Sequence, residues 1–148
     1  MFNKTFGFHS CSLKKNSKPT STKTLNTEES IKMTTYTKHL SEPWFSLIKI
    51  EAKTCEGRLN TGDFYEMKKG DTIIFTNDDF KFSRSFRCEI TSVHNYSSFE
   101  EYLHVETLEK CLPGMDTIDE GVDLYYNYYK KEDENKYKIK ALHLSVIK

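Results

Sequence analysis

PWFSLIKIEAKTCEGRL, residues 43–59, is the stretch that decides the fold. Its first half is helical. Ser41 stands where a side-chain N-cap belongs, and Pro43 falls in the first turn, where a missing N–H costs nothing. Trp44, Leu47 and Ile48 recur at i, i+3 and i+4, which predicts a short helix with one buried face. The period then changes. KTCEGRL, residues 53–59, reads as an extended strand, in which Thr54, Glu56 and Arg58 share one face. A short helix feeding a charged strand points to a mixed α+β domain.

Working outward, TYTKHL before the helix is a short β-prone run, and NTGD after the strand is a turn. Gly70-Asp71 leads into an apolar strand from Thr72 to Phe75. Residues 78–96 read as a turn and a long β-run whose buried face is Phe86, Cys88 and Ile90, with Val93 as a further candidate. A helix follows, with Ser97 or Ser98 as cap and Phe99, Leu103, Glu106 and Lys110 in period, and Pro113-Gly114 stops it. A second helix starts at the Thr117 cap with acids in its first turn. Residues 136–148 close the chain as an alternating strand. The predicted order is β-α-β-β-β-α-α-β, an α+β fold with a small curled sheet or barrel.

The chain has 148 residues and zero formal net charge, and no apolar run approaches the roughly 20 residues of a membrane-spanning helix. Residues 1–35 hold six lysines against two glutamates, so the remainder carries a net charge of −4. That first segment is rich in Ser, Thr and Lys and poor in large apolar side chains, which predicts a disordered extension before a domain at 36–148. It contains no Arg and no amphipathic stripe, which argues against organelle targeting. Met33 opens MTTYTKHL and reads as an alternative start directly before the first strand.

Cys11, Cys55, Cys88 and Cys111 are far apart, with no CxxC or CxxH spacing, so neither a metal site nor a cofactor is expected. A reduced, intracellular (cytoplasmic) setting fits them. A net-acidic body argues against tight binding of duplex DNA, which needs a dominant basic face.

Glu56 and Arg58, two apart on a strand, can hold each other in register and present a fixed charge to a ligand. The plainer reading is a solvated strand with an incidental ion pair. His94 stands either in a cleft or as a surface or structural histidine; His39 and His143 read as structural, and His104 as exposed. Tyr125, Tyr126, Tyr128 and Tyr129 suit either a stacking platform or boundary packing. Cys55 is a nucleophile or a small core residue. Lys130 to Glu134 reads as a charged helix end.

The stretch Pro43–Leu59 resembles the signature of ASCH domains, in the PUA-like superfamily: a PW-headed helix followed by K-x-x-E-G-R. KKGDTIIF, the element around Val93, Tyr96, Ser98 and Phe99, and LPGMDTIDEGVDLYYNYY extend the resemblance across residues 36–148. It implies a small PUA-like β-barrel with a short first helix, a two-helix insert before the last strand, and a cleft beside helix one. It also implies RNA or nucleotide binding there, with Trp44, Lys53, Thr54, Glu56, Arg58 and His94 as ligand-binding candidates. Lys53 and Arg58 suit phosphate or carbonyl groups, Glu56 an exocyclic amine, and Trp44 a base face. In this reading Arg58 is the most structural of the three charged residues, and Gly57 allows close approach to a planar ligand.

Some members hydrolyse acetylated cytidine with a Thr three residues after the motif Lys; here that position is Glu56. A hydrolase reading would use Lys53 and Glu56 as catalytic residues without metal, on an acylated nucleoside or on RNA. A protein-interaction adaptor is the third reading.

Overall fold

The structure is a computed structural model and describes residues 31–148; the expectations for residues 1–30, Cys11 included, lie outside the described residues. Five strands form one sheet: β1 (Thr35–His39), β2 (Cys55–Leu59), β3 (Thr72–Asn77), β4 (Arg84–Tyr96) and β5 (Ile139–Ile147). Among the described residues six helices decorate it: α1 (Trp44–Lys49), α2 (Asp63–Glu66), α3 (Phe99–Glu106), α4 (Leu108–Cys111), α5 (Ile118–Tyr126) and α6 (Lys131–Tyr137). A 3-10 turn covers Asp79–Lys81. The fold is α+β, with the sheet curled into a half-barrel.

Strand order is β1-β3-β4-β5-β2, with β1 parallel to β3 and the other pairs antiparallel. The ladder is anchored from Thr34, whose N–H donates to Asp71 Oδ1 at 2.8 Å. β1 and β2 are the two edges and share no ladder, so the half-barrel has an open seam between them.

Each face of the sheet carries its own core. One packs α1 through Phe45 and Ile48 onto Ile73, Phe75, Cys88 and Ile90. The other packs α3 through Phe99, Tyr102 and Leu103 onto Cys55, Ile139 and Ala141. Trp44 touches both, at the seam.

Several local features differ from the sequence pattern, each for a physical reason. Ser41 contributes only its carbonyl to α1; Glu42 does the capping, accepting from Ser46 N–H at 3.2 Å and Ser46 Oγ at 2.8 Å. The buried pair on α1 is Phe45 and Ile48, because the helix sits at the seam and leaves Trp44 and Leu47 half-exposed. Ser98 is the cap of α3, but Thr107 at φ 76° breaks that helix before Lys110, so α4 is a separate turn. The second predicted helix is likewise two. α5 opens with a full Thr117/Glu120 capping box, and Lys130–Glu134 belongs to the start of α6.

A bulge at Thr91 shifts β4 by one residue, which is why Val93 follows Phe86, Cys88 and Ile90 out of phase. β5 does not alternate polar with apolar at its start. It lies between β4 and β2 with a core on both faces, so Ile139 to Leu142 are all buried.

Candidate functional site

The end of β1 and the middle of β2 face each other across the seam and enclose a cleft of about 190 Å³. Glu56 and Arg58 line it from β2, Trp44 from α1, and Tyr125, Tyr128 and Tyr129 from α5 and the turn beyond. His39 and Leu40 form the opposite lip. Asn77 Nδ2 donates to Leu40 O at 2.9 Å and fixes that lip to β3.

The strand's two-residue period places Glu56 and Arg58 on one face. Arg58 Nε donates to Glu56 Oε1 at 2.6 Å, while Lys53 Nζ lies 3.1 Å from Oε2. Glu56 is 6% exposed. Burial by itself would raise its pKa, but the charges of Lys53 and Arg58 outweigh that and hold it below the usual carboxylate range.

Lys53 is 2% exposed and donates to Cys55 O at 2.7 Å and to Cys111 O as well as to Glu56. An ammonium has three protons, and all three are taken. Arg58 has a different position. Its side chain is 26% exposed, it meets Tyr129 Oη at 3.4 Å, and its guanidinium stacks over the Phe64 ring. Donors on its two terminal nitrogens remain for a ligand. The sequence reading makes Arg58 the most structural of the three charged residues; in the structure Lys53 is the more buried, held by the carbonyls of Cys55 and, 58 residues on, Cys111.

Gly57 has a cause other than ligand approach. A Cβ there would sit 2.4 Å from Tyr102 Cζ, so the glycine admits the Tyr102 ring beneath β2. Thr54 and His94 do not line the cleft. Thr54 is held by backbone bonds to Lys110 and Leu144. His94 lies on the far side of the sheet, with Nδ1 2.8 Å from Glu106 Oε1. Cys55 is fully buried, and the neighbouring Cys111 thiol together with burial pushes its pKa up, so it is not an activated nucleophile. Among the four tyrosines, Tyr125 stacks on Phe99 in the core and Tyr128 is exposed at the cleft mouth. Leu124 and Leu112, also in the lining, lie in the stretch that resembles the family's helical insert, but neither is among the ligand-binding candidates read from the sequence.

A mixed five-stranded half-barrel with its cleft at the open seam is a PUA-like fold. The chain belongs to the ASCH domain family, whose model matches residues 39–148. Two solved structures are similar. The crystal structure of hypothetical protein PH0355 shares 35% identity and a TM-score of 0.68, covering 78% of this chain and 100% of its own. The solution structure of protein PF0455 from Pyrococcus furiosus shares 32% identity and a TM-score of 0.64, covering 78% of this chain and 99% of its own. The comparison with curated proteins finds no significant match. No helix among the described residues is long and apolar enough to cross a membrane.

Proposed function

We propose that the seam cleft binds one base of single-stranded RNA, or a modified nucleoside or nucleotide, with Arg58 and Glu56 as the polar contacts. The observation that carries this is a buried carboxylate whose oxygens are each fixed by a cation, set among aromatic walls. Glu56 keeps lone pairs for an exocyclic amine, Arg58 offers donors to a carbonyl or phosphate, and Trp44 and Tyr128 offer ring faces. The volume is below the roughly 300–1,000 Å³ typical of drug-sized ligand sites, which suits a single base.

Binding is favoured over hydrolysis at this cleft by the same geometry. A general base works best with a pKa near the operating pH. Glu56 is shifted the other way, and Lys53 has no proton free to polarise a carbonyl.

Titration with a panel of nucleosides, short single strands and duplex DNA tests the reading. Single strands should bind with a log–log salt slope of about −1 to −2, as expected for roughly one to three phosphates, and duplex DNA weakly. Glu56→Gln should weaken binding by about 1–2 kcal/mol. Turnover abolished by that change with binding intact would favour the hydrolase. Wild-type binding by Glu56→Gln, Arg58→Ala and Tyr128→Ala together would remove the cleft as the site and favour an adaptor.

A further inference from the structure

Behind β2, on the face away from the cleft, the ladder collects a second group of chemically active side chains. Register sets Cys55 of β2 opposite His143 of β5, and His94 of β4 lies one diagonal step along. Glu106, the last residue of α3, closes over them. A thiol sulfur from Cys55, a carboxylate oxygen from Glu106 and an imidazole nitrogen from His143 all lie within 4.8 Å of one another.

Glu106 is the unusual member. It is 6% exposed, yet among the described residues no Lys or Arg reaches it within ion-pair distance. Its oxygens are held by His143 Nε2 at 2.6 Å, His94 Nδ1 at 2.8 Å and Tyr96 Oη at 2.6 Å. Buried carboxylates are normally paired with a cation or bound to a metal. This one has donors on every side and no fixed cation.

We propose that Cys55, Glu106 and His143 form a binding site for a divalent transition metal of the zinc class, with His94 and Tyr96 as outer partners that orient Glu106. One sulfur, one nitrogen and one oxygen ligand suit a borderline-soft ion such as Zn²⁺ and fit poorly to Mg²⁺ or Ca²⁺. Metal-bound nitrogen and oxygen lie about 3.4 Å apart across a tetrahedral zinc with bonds of roughly 2.0–2.2 Å. The His143–Glu106 gap therefore needs to widen by under about 1 Å, a side-chain adjustment. Cys55 is fully buried, whereas the His143 and His94 side chains are 29% and 48% exposed, so entry is from the histidine side and a fourth position faces solvent. The spacing rule that argues against metal looks for close pairs in sequence; here each ligand comes from a different element.

The test uses full-length, reduced, chelator-treated protein titrated with Zn²⁺ and, as a spectroscopic probe, Co²⁺. One ion should bind per chain, raise the melting temperature and, for Co²⁺, give a thiolate charge-transfer band. Loss of outer partners costs about 10–100-fold in metal affinity, so Cys55→Ser and His143→Gln should each cost at least about 100-fold and His94→Ala about 10-fold. Cys55→Ser should also abolish the charge-transfer band. His39→Ala, His104→Ala and Cys11→Ser should bind as wild type. Circular dichroism of each metal-free variant checks folding; if Cys55→Ser fails it, the partly exposed His143→Gln carries the test. Uptake unaffected by both ligand changes, lost with His39→Ala or Cys11→Ser, or absent altogether, overturns the proposal.

Discussion

Arg58 Nε lies 2.6 Å from Glu56 Oε1, but Arg58 is part-exposed and Glu56 is not. The pair is thus asymmetric: both line the cleft, but Glu56 is buried and held on its other oxygen by Lys53. Removing one partner of a buried pair leaves the other charge uncompensated. Glu56→Gln should therefore cost about 2–4 kcal/mol of stability, because Lys53 stays buried without an anion. Arg58→Ala should cost only about 1 kcal/mol, in line with a part-exposed pair, while removing most of the ligand affinity. Urea unfolding read beside nucleoside titration separates the two; an equal stability loss would show that Arg58 is as structural as Glu56.

The depressed pKa of Glu56 has a signed consequence. A carboxylate held below its unfolded value contributes stability that is present above that unfolded value, about 4.3, and is lost as pH falls through the folded one. Melting temperature should be flat from pH 7 to about 5 and then fall. Glu56→Gln should flatten the acid limb relative to wild type. An unchanged limb in that variant would place the acid sensitivity elsewhere, with Glu42, Glu101 and Glu106 all shifted in the same direction.

At Gly57 the added methyl of alanine meets ring carbons of Tyr102 at 2.4 and 2.5 Å. Overpacking of a rigid site costs about 1–3 kcal/mol. Gly57→Ala should lose that much by thermal or urea melts, and Tyr102→Phe should not restore it, because the clash is with the ring rather than only the hydroxyl.

Glu51 sits at φ 61°, directly after α1, where its N–H bonds to Ile48 O at 2.9 Å. That left-handed position favours glycine. Glu51→Gly should stabilise the protein by about 0.5–1 kcal/mol, the relief of strain exceeding the added chain entropy. A loss of stability would show that the Glu51 side chain contributes more than its backbone costs.

Local signals carried most of the architecture. The 3.6 and 2.0 periods around Trp44 and Glu56 locate α1 and β2, and the Thr117 box marks the start of α5. What stayed hidden depends on distance in sequence. Lys53 looks like a free cation until Cys111, 58 residues on, supplies a carbonyl. Thr107 carries no breaker signature, yet it takes a positive φ between α3 and α4, where α4 turns to pack on β2. Glu106 reads as one polar position on a helix, and only the β2–β5 register brings Cys55 and His143 beneath it.

In the strand ladder the two lips are joined the long way round, through β3, β4 and β5, while the α1 segment and the Lys38–Asp63 ion pair tie them directly. A fully closed barrel has a bore set by its strand register. An open sheet has no such fixed bore: its width at the seam is set by the twist of the sheet and by the tether of α1. On the proposed reading, selectivity by size at the seam should be graded, and selectivity by hydrogen-bond pattern at the buried Glu56 should be sharp.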